Sequence, residues 1–191
     1  MSVTPSNKIP LKTKAPDFSL KDTNRNTVNI DDFNNSKGLI VAFICNHCPF
    51  VIHIIKPFTK IAKDIQDKGI AVVGINSNDI ESYPDDSPAN MKKTAEELGF
   101  TFPYLFDETQ KVAKEYKAAC TPDFFLFDDK MELVYHGQLD DSRPSNSIPV
   151  TGSDLMNAVD KLVSGEPILK EQKMSIGCNI KWKAGNEPDN F

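Results

Sequence analysis

Residues 39–49 read Leu39-Ile40-Val41-Ala42-Phe43-Ile44-Cys45-Asn46-His47-Cys48-Pro49. The first six are apolar, and a short continuous apolar run is typical of a strand buried on both faces of a parallel sheet. Proline is favoured in the first turn of a helix, so Pro49 predicts that a helix begins directly after Cys48. The segment therefore predicts a buried strand that leads through a short turn into a helix.

The residues after Pro49 have helical periodicity. Apolar side chains recur three and four positions apart, at Val51, Ile54, Ile55, Phe58, Ile61, Ala62 and Ile65. Pro57 lies inside this pattern and predicts a kink, and Gly69 predicts the end of the helix.

Strand and helix patterns alternate along the rest of the chain. The residues predict a hairpin around Asp22, strands at 70–75 and 102–106, helices at 89–98, 108–119 and 154–163, and a hairpin from 124–127 and 132–138. Such alternation predicts an α/β fold with helices on both faces of a sheet that has a parallel core.

The overall composition excludes several classes of protein. Of 191 residues, 39% are hydrophobic and 26% charged, which is ordinary for a globular domain. Acidic residues number 27 and basic residues 22, and the net charge of −5 argues against general nucleic-acid binding. Neither a membrane-spanning apolar run nor an apolar leader is visible. We therefore expect a cytoplasmic protein without nucleic-acid or membrane partners.

Four cysteines, Cys45, Cys48, Cys120 and Cys178, are too few for a disulfide scaffold. A helix N-terminus presents unpaired N–H groups and partial positive charge, and both favour a thiolate over a thiol. Because Cys48 stands at that position, it is the predicted nucleophile. Cys45, three residues earlier, completes a Cys-x-x-Cys pair.

Several longer strings resemble the thioredoxin superfamily, in its peroxiredoxin-like branch (the alkyl hydroperoxide reductase and thiol-specific antioxidant family). They are Ala15–Leu20, Cys45–Pro49, Ala119–Asp128, Gly137–Pro144 and Ser175–Lys183. The resemblance spans nearly the whole chain. It implies a thioredoxin-like three-layer α/β/α sandwich with a mixed central sheet and an added N-terminal β-hairpin.

The chain is expected to divide into three parts. Residues 1–16 are expected to form an extended N-terminal segment, and residues 17–165 the thioredoxin-like domain. Residues 166–191 are expected to form a C-terminal tail packed on that domain.

Two frames of the resemblance assign the cysteines differently, and both place Pro122 as a cis-proline whose loop faces the helix N-terminus. In the favoured frame Cys48 is the first cysteine of a thioredoxin pair, and Val51 takes the second position, where no disulfide can form. In the other frame Cys45 and Cys48 are an ordinary redox pair. The peroxiredoxin string Pro-x-x-x-Thr-x-x-Cys is absent, which argues against the usual peroxidase chemistry.

The roles of four further residues stay open. Cys120 is either a partner thiol for Cys48 or a small buried residue, and Cys178 is either a resolving thiol or inert. His47 either stabilises the thiolate as an imidazolium or is only a spacer. Arg143, one of two arginines, either holds an anion or the thiolate at the site or pairs with its acidic neighbours.

The sequence thus predicts a thiol–disulfide oxidoreductase or peroxiredoxin-like antioxidant protein that uses Cys48 and needs neither cofactor nor metal. The expected partners are a disulfide or peroxide substrate and a cellular thiol reductant such as thioredoxin. The alternative is a non-catalytic thioredoxin-fold module. It would bind a protein partner, or a soft metal through Cys45, His47, Cys48 and Cys120.

Overall fold

A seven-stranded mixed sheet forms the middle layer of the molecule. In spatial order its strands are β3 (Thr27–Asn29), β2 (Ser19–Asp22), β6 (Tyr104–Phe106), β5 (Ala71–Asn76), β4 (Gly38–Phe43), β8 (Asp123–Asp128) and β9 (Leu133–Gly137). The β4–β5 and β5–β6 pairs are parallel, and the others are antiparallel. This computed structural model describes residues 3–188. The first two residues of the predicted N-terminal segment and the last three of the predicted tail lie outside the described residues.

Different helices pack on the two faces of the sheet. The helices are α1 (Pro49–Asp67), α2 (Pro88–Leu98), α3 (Lys111–Glu115) and α4 (Ser153–Ser164). Along β4, Ile40 and Ala42 point into the core that α1, α2 and α4 share. The alternate residues Leu39, Val41 and Phe43 pack on the opposite side, with α3 and partly buried residues near both ends of the chain. This arrangement confirms the predicted α/β/α sandwich, and β2 with β3 is its added hairpin.

The predicted start of α1 agrees with the structure. Cys48 is the N-cap residue in extended conformation, Pro49 follows in the first turn, and Pro57 lies inside the helix. The buried face of α1 consists of Val51, Ile54, Phe58, Thr59, Ala62 and Ile65. The apolar stripe read from the sequence is thus the face that packs on the sheet.

The helix predicted over 108–119 is much shorter, because the backbone leaves the helical region on both sides of it. Gln110 has φ +61° and Lys117 has φ +51°, so only Lys111–Glu115 is helical. The buried Gln110 side chain donates to the carbonyl oxygens of Ser77 and Lys181, both at 2.8 Å. Residue 110 therefore links the end of β5 to the C-terminal tail instead of continuing a helix.

A second, three-stranded antiparallel sheet joins both ends of the chain to the domain. Its strands lie in the order β1 (Val3–Pro5), β10 (Ile176–Asn179) and β7 (Cys120–Thr121). The sequence analysis predicted no strand in either terminal region. These strands are two to four residues long, and each finds its partner more than 50 residues away, so no local pattern marks them. None of the helices within residues 3–188 is both long and apolar enough to cross a membrane.

Strand β10 comes unusually close to the turn at Thr121. A Cβ atom on Gly177 would lie 2.0 Å from the carbonyl oxygen of Thr121 and 3.1 Å from the nitrogen of Pro122. Only a residue without a side chain allows this approach. Gly177 therefore decides how tightly the tail covers the 120–122 segment.

We expect Gly177→Ala to push β10 away from Thr121, because the added methyl group meets backbone that cannot move aside. The free energy of unfolding should fall by about 1–3 kcal/mol, as for other overpacked sites. Denaturant unfolding measures the loss, and limited proteolysis shows whether the tail is released. The control is Ile176→Ala, which removes atoms from the partly exposed neighbouring side chain. Equal stability of the two variants would contradict the close approach.

Candidate active site

The turn between β4 and α1 is fastened to a buried carboxylate, Asp86, in the loop after β5. Its Oδ1 accepts hydrogen bonds from the backbone N–H groups of Asn46 (2.7 Å) and His47 (3.3 Å). Its Oδ2 accepts one from the side chain of Asn78 at 2.7 Å and lies 2.6 Å from Nδ1 of His47. These contacts fix the conformation of residues 45–48.

The ring of His47 is held by Asp86 on one side and by an aromatic ring on its face. It stacks on Tyr83 with ring centroids 4.9 Å apart, and the Lys181 ammonium lies 5.6 Å from the centroid of Tyr83. His47 therefore directs Nδ1 to a carboxylate and orders the turn. Its role toward Cys48, predicted from adjacency, stays a prediction.

The segment around Thr121 lies against the first two cysteines. The Thr121–Pro122 peptide bond is cis. Sγ of Cys48 lies 3.3 Å from the Thr121 carbonyl oxygen, and Sγ of Cys45 lies 3.3 Å from the Thr121 hydroxyl oxygen. Cys178 on β10 pairs in register with Thr121, so it reaches the same place from the tail.

Cys48 is the acidic thiol of this group, and its pKa is lowered from 9.0 to about 5. The largest cause is a hydrogen bond from the Cys45 thiol. Burial opposes ionisation, but hydrogen bonds from the Cys178 thiol and from the backbone N–H groups of Val51 and Cys178 add to the lowering. The Val51 N–H is one of the donors that a helix N-terminus leaves unpaired.

The other three thiols are poor acids, chiefly because they are buried. Burial raises the pKa of Cys45 well above 9.0, and contacts with Cys48 and Asp86 add to the rise. Burial and the adjacent Asp123 carboxylate raise the pKa of Cys120 well above its usual range. For Cys178, burial and Cys48 raise the pKa to about 12. No disulfide joins cysteines within residues 3–188.

The structure separates Arg143 and Cys120 from the closest contacts of Cys48. The Arg143 guanidinium donates to the carbonyl oxygens of Asp140 and Ser142 and to the Gln138 side chain. Its hydrogen bonds thus stay within its own loop. Sγ of Cys120 donates to the Pro122 carbonyl oxygen at 3.9 Å, and besides burial the charge of Cys48 contributes to the raised pKa of Cys120.

Sequence reasoning missed Asp86 and Thr121 and left Cys178 open. One signal was available for Asp86. The carboxyl ends of the parallel strands β4 and β5 share one edge of the sheet, so the loops that follow them are neighbours. No comparable local signal marks the tail strand that carries Cys178.

The comparisons with known proteins agree with this geometry. The profile of the AhpC/TSA family matches residues 11–136. The chain belongs to the AhpC/TSA family. The matched residues end before the tail strand β10, which brings Cys178 to Thr121. No match is found among curated proteins.

Two solved structures resemble nearly the whole chain. An uncharacterized conserved protein from Geobacillus kaustophilus is 54% identical, with a TM-score of 0.93 over 96% of this chain and 97% of the other. A hypothetical protein from Sinorhizobium meliloti 1021 is 49% identical, with a TM-score of 0.94 over 95% of this chain and all of the other. The thioredoxin domain of a thiol-disulfide oxidoreductase from Bacteroides vulgatus shares the fold (TM-score 0.61, 23% identity, 82% of this chain and 99% of the other).

We expect Asp86→Asn to loosen the 45–48 turn. An amide nitrogen would face N–H donors, and a buried unmet donor costs about 1–3 kcal/mol. The free energy of unfolding should fall by that amount in denaturant titrations. Asp85→Asn, on the exposed neighbouring side chain, is the matched control and should change stability little. If both variants lose the same stability, Asp86 does not fasten the turn.

We expect Cys48 to ionise far below the ordinary pH of a thiol. Since its pKa is lowered to about 5, the thiolate should form as pH rises through that value and be complete at neutral pH. The ultraviolet absorbance of the thiolate measures this step in wild type, and Cys48→Ser should remove it. Cys45→Ala should move the midpoint upward, because the strongest hydrogen bond to the thiolate is lost. An unchanged midpoint in Cys45→Ala would contradict the assigned cause.

Proposed function

We propose that the protein is a thiol–disulfide oxidoreductase in which Cys48 is the nucleophile. The observation that carries the proposal is the position of Sγ of Cys48 at the N-terminus of α1, in contact with the thiols of Cys45 and Cys178 and beside the Thr121–Pro122 turn. A thiolate is the attacking species in disulfide exchange, and two neighbouring thiols supply the means to release the product.

The exchange proceeds in two balanced steps. The Cys48 thiolate attacks one sulfur of a substrate disulfide, a bond to that sulfur forms, and the other half leaves as a thiolate that takes up a proton. A second protein thiol then loses its proton and attacks Sγ of Cys48. The remaining half leaves as the second product thiol, so two electrons pass from the protein to the substrate.

The electrons must be returned by a cellular thiol reductant, and thioredoxin is the expected class. A hydroperoxide could also serve as oxidant. In that case Cys48 takes one oxygen to become a sulfenic acid, an alcohol is released, and condensation with the second thiol yields a disulfide and water. Membership of the AhpC/TSA family supports testing both substrates.

The buried position of Cys48 limits how substrates approach. Its relative exposure is 0%, and Cys45 and Cys178 are 3% exposed. A disulfide therefore reaches Sγ only when part of the cover moves. Strand β10 is part of this cover. It pairs with β7, which contains Thr121, through two residue pairs. Opening of this contact would expose Cys48 and Cys178 together.

A metal site is the second candidate function. Donor atoms of Cys45, His47 and Asp86 all lie within 4.8 Å of one another. The structure thus groups the two predicted donors with Asp86 rather than with Cys48 and Cys120. Structural zinc has four ligands, and here Nδ1 of His47 already bonds Asp86. Metal analysis of the freshly purified protein decides whether this candidate is needed.

We expect Cys48→Ser to abolish reduction of 2-hydroxyethyl disulfide in an assay coupled to thioredoxin. Cys45→Ser and Cys178→Ser should each retain part of the turnover, since one neighbouring thiol remains. The double variant Cys45→Ser/Cys178→Ser should stall as a mixed disulfide on Cys48, visible as an added mass of one substrate half. Hydroperoxide in place of the disulfide tests the peroxidase reaction.

Cys120→Ala is the control, because the Cys120 thiol donates to the Pro122 carbonyl and is not among the hydrogen-bond donors that lower the pKa of Cys48. It should keep the wild-type rate. If Cys45 is labelled first by limited alkylation and Cys45→Ser alone stops turnover, Cys45 is the nucleophile and the other sequence frame is right. If wild type reduces neither substrate, the oxidoreductase proposal fails.

A further inference from the structure

A cleft beside the Thr121–Pro122 turn is lined by parts of the three segments that surround Cys48. It is a small cleft that is partly open to solvent. Phe50 lines it from the first turn of α1, Pro122 from the turn, and Ile176 from β10. The three segments that enclose Cys48 thus also form the walls of this cleft.

Three residues that line the cleft have a buried polar side-chain atom without a hydrogen-bond partner within residues 3–188. The atoms are the hydroxyl oxygens of Ser142 and Ser175 and Nε2 of His53. Ser175 is only 1% exposed. Leaving a buried polar group unpaired costs about 1–3 kcal/mol, so such groups usually bind a ligand or water. None of the three takes part in the proposed exchange.

The cleft wall also includes a cation whose guanidinium donates its hydrogen bonds to neutral groups of its own loop. Arg143 is half-buried there, and within residues 3–188 its guanidinium makes no salt bridge. The alternative in which Arg143 pairs with its acidic neighbours is not formed as a salt bridge, because the hydrogen bonds of both carboxylates go elsewhere. Asp140 accepts from the backbone N–H groups of Ser142, Thr151 and Gly152, and Asp141 pairs with Lys173. Besides the hydrogen bond from Lys173, the charge of Arg143 still helps to lower the pKa of Asp141.

Although burial opposes ionisation of Asp140, the Ser142 hydroxyl and nearby backbone N–H groups help to keep the pKa of Asp140 below its usual value. Within residues 3–188 this hydroxyl nevertheless has no hydrogen-bond partner of normal geometry. The groups left for a ligand are therefore the hydroxyls of Ser142 and Ser175, Nε2 of His53 and the unused N–H groups of Arg143. Three of the four guanidinium protons on its terminal nitrogens are taken by the loop.

We infer that this cleft binds the carboxylate of a small disulfide substrate before the cover over Cys48 opens and Cys48 attacks the sulfur. Arginine and hydroxyl donors match a carboxylate, and Phe50 and Ile176 offer apolar surface to the short chain between carboxylate and sulfur. The inference rests on the proposed function and adds the substrate class to it: acid-bearing low-molecular-weight disulfides rather than neutral or cationic ones.

Three disulfides of similar length test the inference: anionic 3,3′-dithiodipropionate, neutral 2-hydroxyethyl disulfide and cationic cystamine. Wild type should have the highest kcat/KM for the anion. In Arg143→Gln the ratio of kcat/KM for the anion to that for the neutral disulfide should fall about tenfold or more, as expected for a lost charged hydrogen bond. Arg25→Gln, at the exposed second arginine, should leave the ratio unchanged.

Ser175→Ala separates ligand binding from structure. It removes a buried hydroxyl that has no partner, so the free energy of unfolding should stay the same or rise. The ratio of anion to neutral kcat/KM should nevertheless fall several-fold. A purely structural role would not lower this ratio in a variant that is at least as stable.

The possible results separate failure of the carboxylate-binding inference from failure of the proposed oxidoreductase function. If wild type reduces all three disulfides equally and the ratio is unchanged in Arg143→Gln and Ser175→Ala, the cleft holds only water and the inference is overturned, while the oxidoreductase stands. An equal loss for all three disulfides in Arg143→Gln, with Ser175→Ala unaffected, also overturns it, because only the loop was disordered. If wild type reduces none of them, the proposed function itself fails.

Discussion

The carboxylate of Asp86 is the group on which the geometry of the site depends. It is fully buried, and a buried carboxylate is stable only where hydrogen bonds replace the water it has lost. Asn46, His47 and Asn78 supply those bonds. Because two of the donors are backbone N–H groups of the turn after β4, the bonds that satisfy the charge also fix where α1 begins. Cys48 is thereby held at the helix N-terminus.

The same hydrogen-bond network extends to the C-terminal tail. The Asn78 side chain donates to Asp86 and accepts from the backbone N–H of Lys181 at 2.8 Å. Two residues further, Lys183 donates its N–H to the Gln110 side chain. The tail is thus anchored just beyond the strand that carries Cys178. Its placement over Thr121 follows from this anchor together with the small size of Gly177.

Local features of the sequence were enough to predict the centre of the fold but not its periphery. The apolar run, Pro49 and the helical stripe each act over a few residues, so strand, N-cap and helix were predictable. Asp86 lies about 40 residues from the turn it holds, and β10 about 55 from Thr121, so no local pattern connects them. The prediction of a helix over residues 108–119 was wrong for a different reason. Its periodicity is real, but the Gln110 side chain serves a long-range contact that requires a left-handed backbone.

Cys45, Cys48 and Cys178 lie close together, and their different surroundings give the three thiols different roles in the proposed exchange. In a buried site only one thiol ionises readily. The hydrogen bond from Cys45 is the main reason that this thiol is Cys48, and the Val51 N–H at the helix N-terminus adds to the effect. The other two stay protonated mainly because they are buried, and the charge on Cys48 raises the pKa of both further. Once Cys48 is bonded to a substrate sulfur, that charge is gone and the two thiols lose the acceptor that held their protons. The pKa of each then falls, so formation of the mixed disulfide itself prepares the neighbouring thiol to attack it.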